Sequence, residues 1–178
     1  MFQHFSKFLN VEELLRGADP SLVVELGASS GHNTRLLLPL CHELGARLVV
    51  ISDGVKPDDL DVEWVNGISY TELPAYIDID VAIIDTDHNA GTAALEMDVL
   101  EGCMAPDGLI LAHDTVSHGT ENGFMRHYGC GQPYPLEQLR ADTRGYREVL
   151  LSYSYTLIRE SLDSAGAIAM KERATCPK

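Results

Sequence analysis

The stretch Val23–Thr34, V-V-E-L-G-A-S-S-G-H-N-T, joins an apolar strand to a glycine-containing turn and the start of a helix. Its apolar residues predict a strand over Leu22–Leu26, and apolar residues at helical spacing predict a helix over His32–Leu44. Glycine is needed where the backbone approaches a ligand closely or adopts conformations that a Cβ forbids. Because the turn ends at a helix N-terminus, where free N–H groups favour electron-rich groups, the stretch is typical of a loop that binds a phosphate- or nucleoside-type ligand.

The spacing of the two glycines distinguishes this loop from the dinucleotide-binding fingerprint. Three residues separate Gly27 from Gly31, whereas the fingerprint requires G-x-G-x-x-G. A dinucleotide site is therefore a poor match. A strand-to-helix turn with no ligand is the plainer alternative, but the acidic Glu25, one residue before the end of the strand, favours a ligand site.

The segment E-L-G-A-S-S-G-H-N-T, which begins at Glu25, resembles motif I of class I S-adenosylmethionine-dependent methyltransferases. The resemblance implies that S-adenosylmethionine is the cofactor and that Glu25 organises the loop under its methionine part. Asp53 follows the second predicted strand, roughly 20 residues beyond the glycine loop, where an acidic side chain accepts ribose hydroxyls. A solvated turn residue is the alternative for Asp53. The predicted cofactor-binding residues are Glu25, Gly27, Ala28, Ser30, Gly31, Thr34, Asp53 and Asp85.

Strand-like and helix-like segments alternate along the 178 residues, which predicts an α/β fold. We expect a single domain with a Rossmann-like, doubly wound sheet of about seven strands, mostly parallel, with an antiparallel hairpin at one edge. The predicted strands are Leu22–Leu26, Arg47–Ser52, Glu63–Asn66, Val81–Asp85, Gly108–His113, Tyr146–Ser152 and Tyr155–Arg159, of which the last two form the hairpin. The predicted helices are Val11–Arg16, His32–Leu44, Tyr70–Tyr76 and Ala90–Met104.

Three segments are expected to lie outside this sheet. Residues 1–18 are expected to form an N-terminal helical segment, residues 116–143 an irregular loop, and residues 160–178 a C-terminal tail. Since ligands of α/β sheets bind outside the carboxyl ends of the strands, the irregular loop after the fifth strand is placed to shape a substrate pocket.

The charge of the chain argues against several kinds of partner. The net charge is −14, from 27 acidic and 13 basic residues, with no basic run. Nucleic acids and anionic membrane surfaces, which bind clustered Lys and Arg, are therefore not expected partners. The four cysteines have no C-x-x-C spacing, and no apolar run is long enough to span a bilayer, so we expect a reduced, cytoplasmic protein.

Polar residues follow two strands that are neighbours in the predicted sheet. The fourth strand ends in I-I-D-T-D-H-N (Ile83–Asn89) and the fifth in L-I-L-A-H-D-T (Leu109–Thr115). Neighbouring strands lie about 5 Å apart, so their terminal side chains converge. Carboxylates in close proximity repel each other unless one is protonated or a cation lies between them, and oxygen ligands suit a hard divalent ion. Capping and turn residues are the alternative. The converging residues are Asp85, Asp87, His88, His113 and Asp114.

The pair D-T-D-H and H-D-T resembles the macrocin O-methyltransferase and cephalosporin-hydroxylase-like group, many of which are magnesium-dependent. The resemblance covers roughly Leu22 to Thr115 and implies that Asp85 and Asp114 are metal ligands, with His88 as the general base. His113 stands where this group commonly has an acid, and imidazole suits transition metals better than magnesium. Three interpretations stay open: His113 is a ligand of Mn or another transition metal, His113 is an acid/base group, or the site is metal-free.

These features predict an O-methyltransferase that uses S-adenosylmethionine, assisted by a divalent metal such as Mg or Mn. The acceptor would be a small hydroxylated molecule such as a sugar, a polyketide or a catechol-like metabolite. A cofactor-binding subunit that is inactive, or that needs a partner to complete its pocket, is the first alternative. The second alternative is an iron oxygenase that uses His88, His113 and one Asp as metal ligands. Such an enzyme needs no S-adenosylmethionine loop, so the presence of Gly27–Thr34 argues against it. The sequence leaves open whether the chain forms a homo-oligomer.

Overall fold

The protein's structure, a computed structural model, describes residues 10–86, 90–113, 153, 155–161 and 166–171. The helices are Val11–Ala18 (α1), His32–Leu44 (α2), Ser69–Glu72 (α3) and Ala90–Cys103 (α4), and a 3-10 turn at Leu73–Ala75 continues α3. The strands are Leu22–Leu26 (β1), Arg47–Ser52 (β2), Glu63–Asn66 (β3), Ile79–Ile84 (β4), Met104–His113 (β5), Tyr155–Ser161 (β6) and Gly166–Lys171 (β7). No helix in these ranges is long and apolar enough to cross a membrane.

Five parallel strands form the main part of the sheet, in the order β3-β2-β1-β4-β5. This confirms the predicted α/β, Rossmann-like architecture. Beyond β5 the sheet continues with β7 and then β6, and both of these pairings are antiparallel. The strand order reverses between β1 and β4, and ligands of open α/β sheets bind outside the carboxyl ends of the strands at such a switch point. The residues that follow β1 and β4 are therefore expected to line a ligand-binding site.

Buried side chains cover both faces of the sheet. In β1, Val24 and Leu26 belong to the apolar cluster that includes residues of α4, whereas Val23 belongs to the cluster that includes residues of α1 and α2. Because side chains alternate along a strand, Glu25 points toward the same face as Val23. A fully buried acid thus projects from the central strand toward α2.

Most of the predicted elements have the expected bounds. The structure confirms Leu22–Leu26, Arg47–Ser52 and Glu63–Asn66 as strands and His32–Leu44 as a helix. The first two strands are buried apolar runs, whereas Glu63–Asn66 is a short edge strand that is only partly buried. The short helix expected over Tyr70–Tyr76 is instead α3 followed by the 3-10 turn.

Two strands differ from the prediction at their ends. β4 begins at Ile79, two residues earlier than predicted, and ends at Ile84, so that Asp85 lies outside the strand. β5 begins at Met104 and its pairing with β4 is irregular between Met104 and Leu109. The intervening Pro106 and Gly108 resemble turn residues, and they concealed the start of this strand in the sequence.

The antiparallel edge contains a strand that the sequence analysis missed. β6 pairs with β7, which occupies part of the expected C-terminal tail at residues 160–178. The sequence of β7, G-A-I-A-M-K, contains small residues that give only a weak alternation of apolar and polar positions. The predicted hairpin partner, Tyr146–Ser152, and the irregular loop at residues 116–143 lie outside the described residues.

Candidate cofactor site

Gly27, the first residue after β1, joins the ends of three strands. Its N–H donates a 2.9 Å hydrogen bond to the carbonyl oxygen of Ile51 near the end of β2. The N–H of Asp85, after β4, donates a 2.9 Å hydrogen bond to the carbonyl oxygen of Leu26, the residue before Gly27. Gly27 has a φ of 78°, and a Cβ at this position would overlap the backbone of Asp85 and come within 2.7 Å of Cα of Thr86. Both the dihedral angle and the close approach of β4 therefore require glycine.

The residues between the two glycines form a tight turn before α2. The N–H of Gly31 donates a 2.7 Å hydrogen bond to the carbonyl oxygen of Ala28, and Ser29 and Gly31 have φ values of 47° and 75°. Ser29 and Ser30 are exposed, whereas Ala28 is buried. Gly31 is the N-cap of α2 and has no side chain to accept from the N–H groups of the first turn. An electron-rich ligand group at the turn would meet these N–H groups and the positive end of the helix dipole.

The outer side of the turn is held by Arg35 of α2 and by the segment that follows β2. Arg35 donates a 2.7 Å hydrogen bond from Nη1 to the carbonyl oxygen of Ser30. Its guanidinium also makes two bonds to the Asp59 carboxylate, of 2.8 Å and 2.7 Å. A Cβ on Gly31 would lie 2.7 Å from Cδ1 of Leu60, which shows how closely this segment packs on the turn. Neither Arg35 nor Asp59 was predicted to contribute, because nothing in the sequence relates two exposed residues so far apart.

Glu25 lies beneath the turn and is fully buried. Its Oε2 accepts a 2.7 Å hydrogen bond from the hydroxyl of Thr34, while its Oε1 is buried with no hydrogen-bond partner among the described residues. Burial raises the pKa of Glu25 to about 7; the Thr34 hydrogen bond opposes this shift and the charge of Asp85 adds to it. Glu25 and Thr34 were both predicted to bind the cofactor. The structure places them under the loop, where they position it.

Asp85, the first residue after β4, faces the N-terminus of α2. Its Oδ2 accepts a 3.1 Å hydrogen bond from Nδ2 of Asn33, a residue that is itself buried. Oδ1 of Asn33 is buried without a hydrogen-bond partner among the described residues. The sequence analysis missed Asn33, although a polar residue in the first turn of the helix after a glycine loop is a signal that it faces the site.

Asp53 stands at the same edge of the sheet, directly after β2. Leu26 and Ile51 are partners in the parallel pairing of β1 with β2, so the chains that leave these strands are neighbours. Asp53 is exposed, as a side chain that contacts a ligand must be. The next residue, Gly54, donates a 3.3 Å hydrogen bond to Oγ of Ser52, which turns the chain sharply there.

The predicted metal site falls mainly outside the described side chains. Asp85 is described in full, His113 through its backbone at the end of β5, and His88 and Asp114 lie outside the described residues. In the part of the chain that the structure describes, no three His, Cys, Asp or Glu side chains are grouped so as to hold a metal ion. Ile84 pairs with Ala112, so the backbones of the residues that follow them, Asp85 and His113, are adjacent.

Solved methyltransferase structures share this architecture, although the sequence matches no protein-family model and no curated protein. An O-methyltransferase from Bacillus cereus in complex with S-adenosylhomocysteine has a TM-score of 0.59 at 16% identity, covering 94% of this chain and 82% of that chain. The S-adenosylhomocysteine-bound methyltransferase PaMTH1 from Podospora anserina has a TM-score of 0.64 at 13% identity, covering 92% of this chain and 76% of that chain.

A third similar structure is MycE, a methyltransferase from the mycinamycin biosynthetic pathway, in complex with Mg, S-adenosylhomocysteine and mycinamycin VI. It has a TM-score of 0.65 at 15% identity, and the match covers 95% of this chain but 51% of MycE. The chain has the class I methyltransferase fold. At these sequence identities the similarity shows the methyltransferase fold, and the activity depends on the residues of the site.

The methyltransferase fold brings most of the predicted cofactor residues to one edge of the sheet. Gly27, Gly31, Asp53 and Asp85 follow the carboxyl ends of β1, β2 and β4, with the exposed Ser30 beside them. Their grouping around the switch point agrees with a nucleoside-type ligand that lies across these strand ends.

Proposed function

We propose that this protein is an S-adenosylmethionine-dependent methyltransferase whose cofactor lies across the carboxyl ends of β1, β2 and β4. The observation that carries the proposal is the glycine turn itself. Gly27 packs directly on the backbone of Asp85, and Gly31 opens α2 with N–H groups that face the turn. Such a surface admits a flat or extended ligand against bare backbone.

Each residue of the site would have a distinct task in binding. The exposed carboxylate of Asp53 would accept hydrogen bonds from the two ribose hydroxyls. The carboxylate of Asp85 would supply negative charge to a cationic ligand, while Asn33 holds Asp85 in place and Glu25 supports the turn from below. The net charge of −14 agrees with a cationic cofactor and disfavours an anionic one such as a dinucleotide.

The reaction requires an oriented acceptor and the removal of its proton. When bound, S-adenosylmethionine supplies an electrophilic methyl group on a positively charged sulfur. His88, which follows β4 in D-T-D-H, is proposed as the general base that accepts the hydroxyl proton, since an unperturbed imidazole has a pKa of about 6.5. The acceptor is proposed to be a small hydroxylated metabolite, in agreement with the similar O-methyltransferase from Bacillus cereus.

A divalent metal is a further part of the proposal. Asp85, His113 and Asp114 would hold it, and its chemistry would be to lower the pKa of an acceptor hydroxyl. The donor set of two carboxylates and one imidazole suits Mn at least as well as Mg. Support comes from the adjacent positions of Asp85 and His113 and from the Mg in the MycE structure. The roles given above to the protein's own residues do not depend on this metal.

Calorimetric titration tests the proposed cofactor. We expect S-adenosylhomocysteine to bind with micromolar affinity and NAD⁺ to show no binding at millimolar concentration. Asp53→Asn should weaken S-adenosylhomocysteine binding by about tenfold or more, because the pair of ribose hydrogen bonds loses its charged acceptor. Asp58→Asn is the matched control, since Asp58 is another exposed acid of the same loop. Binding of NAD⁺ in place of S-adenosylhomocysteine would contradict the proposal.

A further inference from the structure

A second fully buried carboxylate lies on the opposite face of the sheet from Glu25. Glu96 is in the middle of α4 and has no exposed surface. Its Oε1 accepts a short hydrogen bond from the hydroxyl of Ser69, and its Oε2 accepts a 3.2 Å bond from the hydroxyl of Thr86. A buried charge is costly unless hydrogen bonds compensate it, and here each oxygen accepts one.

The position of Glu96 in the helix is one where an apolar residue would be expected. Ala93, Met97 and Leu100 lie on the same helix, are fully buried and belong to one apolar cluster. Glu96 is next to Met97 in the sequence and is as fully buried as these three residues. Replacement of buried ionic groups by apolar residues of similar size is often neutral or stabilising, so packing alone does not account for an acid at this point.

The two hydroxyls that Glu96 binds belong to the segments that follow β3 and β4, on either side of the candidate cofactor site. Ser69 is the first residue of α3, just after the turn that follows β3, and Thr86 follows Asp85 after β4. The strand order places β2 and β1 between β3 and β4. The loops that carry Asp53 and the glycine turn therefore emerge between the two segments that Glu96 connects.

Both of these loops are coupled directly to the site. The N–H of Gly67, in the turn before Ser69, donates a 3.1 Å hydrogen bond to the carbonyl oxygen of Ser52, the residue before Asp53. On the other side, Cα of Thr86 lies so close to Gly27 that a Cβ there would be 2.7 Å away. A displacement of Ser69 or Thr86 would therefore move the backbone beside Asp53 or beneath the glycine turn.

We propose that Glu96 is a positioning residue of the cofactor site, which fixes the spacing between the turn after β3 and the loop after β4 through Ser69 and Thr86. This inference rests on the proposed function, since it assigns Glu96 to the binding of the same cofactor. Glu96 lies below the site and acts through its two partners. Its removal would widen or tilt the site and weaken binding by the folded protein.

The test compares stability with cofactor affinity in matched variants of the full chain. Calorimetric titration with S-adenosylhomocysteine should show about tenfold weaker binding for Glu96→Ala, as expected when a remote change misplaces binding groups. Glu96→Gln should stay within about threefold of the wild type, because its amide oxygen accepts from one hydroxyl and its N–H donates to the other. Leu100→Ala, a cavity variant one turn along the same helix, should lower the melting temperature and leave affinity unchanged.

Two further variants decide the matter if Glu96→Ala does not fold. Ser69→Ala and Thr86→Val each remove one hydroxyl and leave Glu96 in place, and each should weaken S-adenosylhomocysteine binding while Leu100→Ala does not. Wild-type affinity in Glu96→Ala, or in both hydroxyl variants, would overturn the role of Glu96 and leave the proposed function standing. Absence of binding by the wild-type protein would overturn the proposed function, and the positioning role with it.

Discussion

The hydroxyl of Thr34 donates a 2.7 Å hydrogen bond to the buried carboxylate of Glu25, and this bond joins the first turn of α2 to the central strand of the sheet. It is the only bond to the Glu25 side chain that the described residues provide, because Oε1 is buried without a partner. Because burial raises the pKa of a carboxyl group, Glu25 stays protonated to a higher pH than an exposed glutamate. The glycine turn therefore packs above a group that titrates near neutral pH.

The first prediction concerns the pH dependence of stability. The pKa of Glu25 is raised to about 7 from its ordinary value of 4.5, chiefly by burial. Between these two values the folded protein binds more protons than the unfolded chain, so this group lowers the free energy of unfolding as the pH rises from about 4.5 to about 7. The shift corresponds to a loss of about 3 kcal/mol.

Chemical denaturation of wild type and Glu25→Gln between pH 5 and pH 8 measures this effect. The amide of the Glu25→Gln variant would keep an oxygen for the Thr34 hydroxyl but would not titrate. We expect the stability of Glu25→Gln relative to wild type to increase with pH up to about pH 7 and then to level off. A difference that does not change with pH would show that Glu25 titrates at its ordinary value.

The second prediction concerns the close packing of Gly27. Gly27→Ala should destabilise the protein by about 2 kcal/mol or more, since it combines a positive φ with overlap of the Asp85 backbone. It should also abolish measurable S-adenosylhomocysteine binding. Gly102→Ala is the control: a Cβ there meets nothing within 4 Å, and alanine is favoured over glycine in a helix by about 0.5–1 kcal/mol. Equal melting temperatures for the two variants would be inconsistent with this account.

The third prediction concerns the pair formed by Asn33 and Asp85. Asn33→Ala removes a donor to a partly buried carboxylate and should cost about 1–3 kcal/mol. Asn33→Asp should cost more at pH 7.5, because it places two carboxylates within hydrogen-bonding distance. That additional loss should shrink at pH 5, where one of the two carboxyls takes up a proton. Denaturation at both pH values measures the difference, and an additional loss that is the same at both would refute the predicted repulsion.

The fourth prediction separates the two contacts of Arg35. Its ion pair with Asp59 is largely exposed and screened by solvent, so Asp59→Ala should have little effect on stability and leave cofactor affinity nearly unchanged. Arg35→Ala also removes the hydrogen bond to the carbonyl oxygen of Ser30 and should weaken S-adenosylhomocysteine binding by about fivefold, the equivalent of one hydrogen bond. If both variants bind equally well, the bond to Ser30 does not support the turn.

The glycine turn could be predicted from sequence because its constraints are local. A strong apolar strand, two glycines and a helix pattern fix Gly27, Gly31 and the bounds of β1 and α2. The position of Asn33 in the first turn of α2 is a local signal that it faces the site, but the hydrogen-bond partners of Asn33 and Glu96 could not be assigned in the same way. Asp85 is 52 residues from Asn33 and Ser69 is 27 residues from Glu96, so these partners come together only when the strands pair.

Two strands at one side of the sheet could not be predicted in full from their own residues. The start of β5 and the whole of β7 depend on pairing with neighbouring strands, since their own residues include Pro106, Gly108 and small apolar side chains. The roles predicted for His88 and Asp114 remain predictions, because these residues lie outside the described ranges.

A crystal structure of the complex with S-adenosylhomocysteine is the most direct test of the central claim. We expect density for the ligand across the ends of β1, β2 and β4, with its ribose within hydrogen-bonding distance of Asp53 and its amino acid part against the turn from Gly27 to Gly31. Ligand density at another surface, or none at saturating concentration, would contradict the proposed cofactor site.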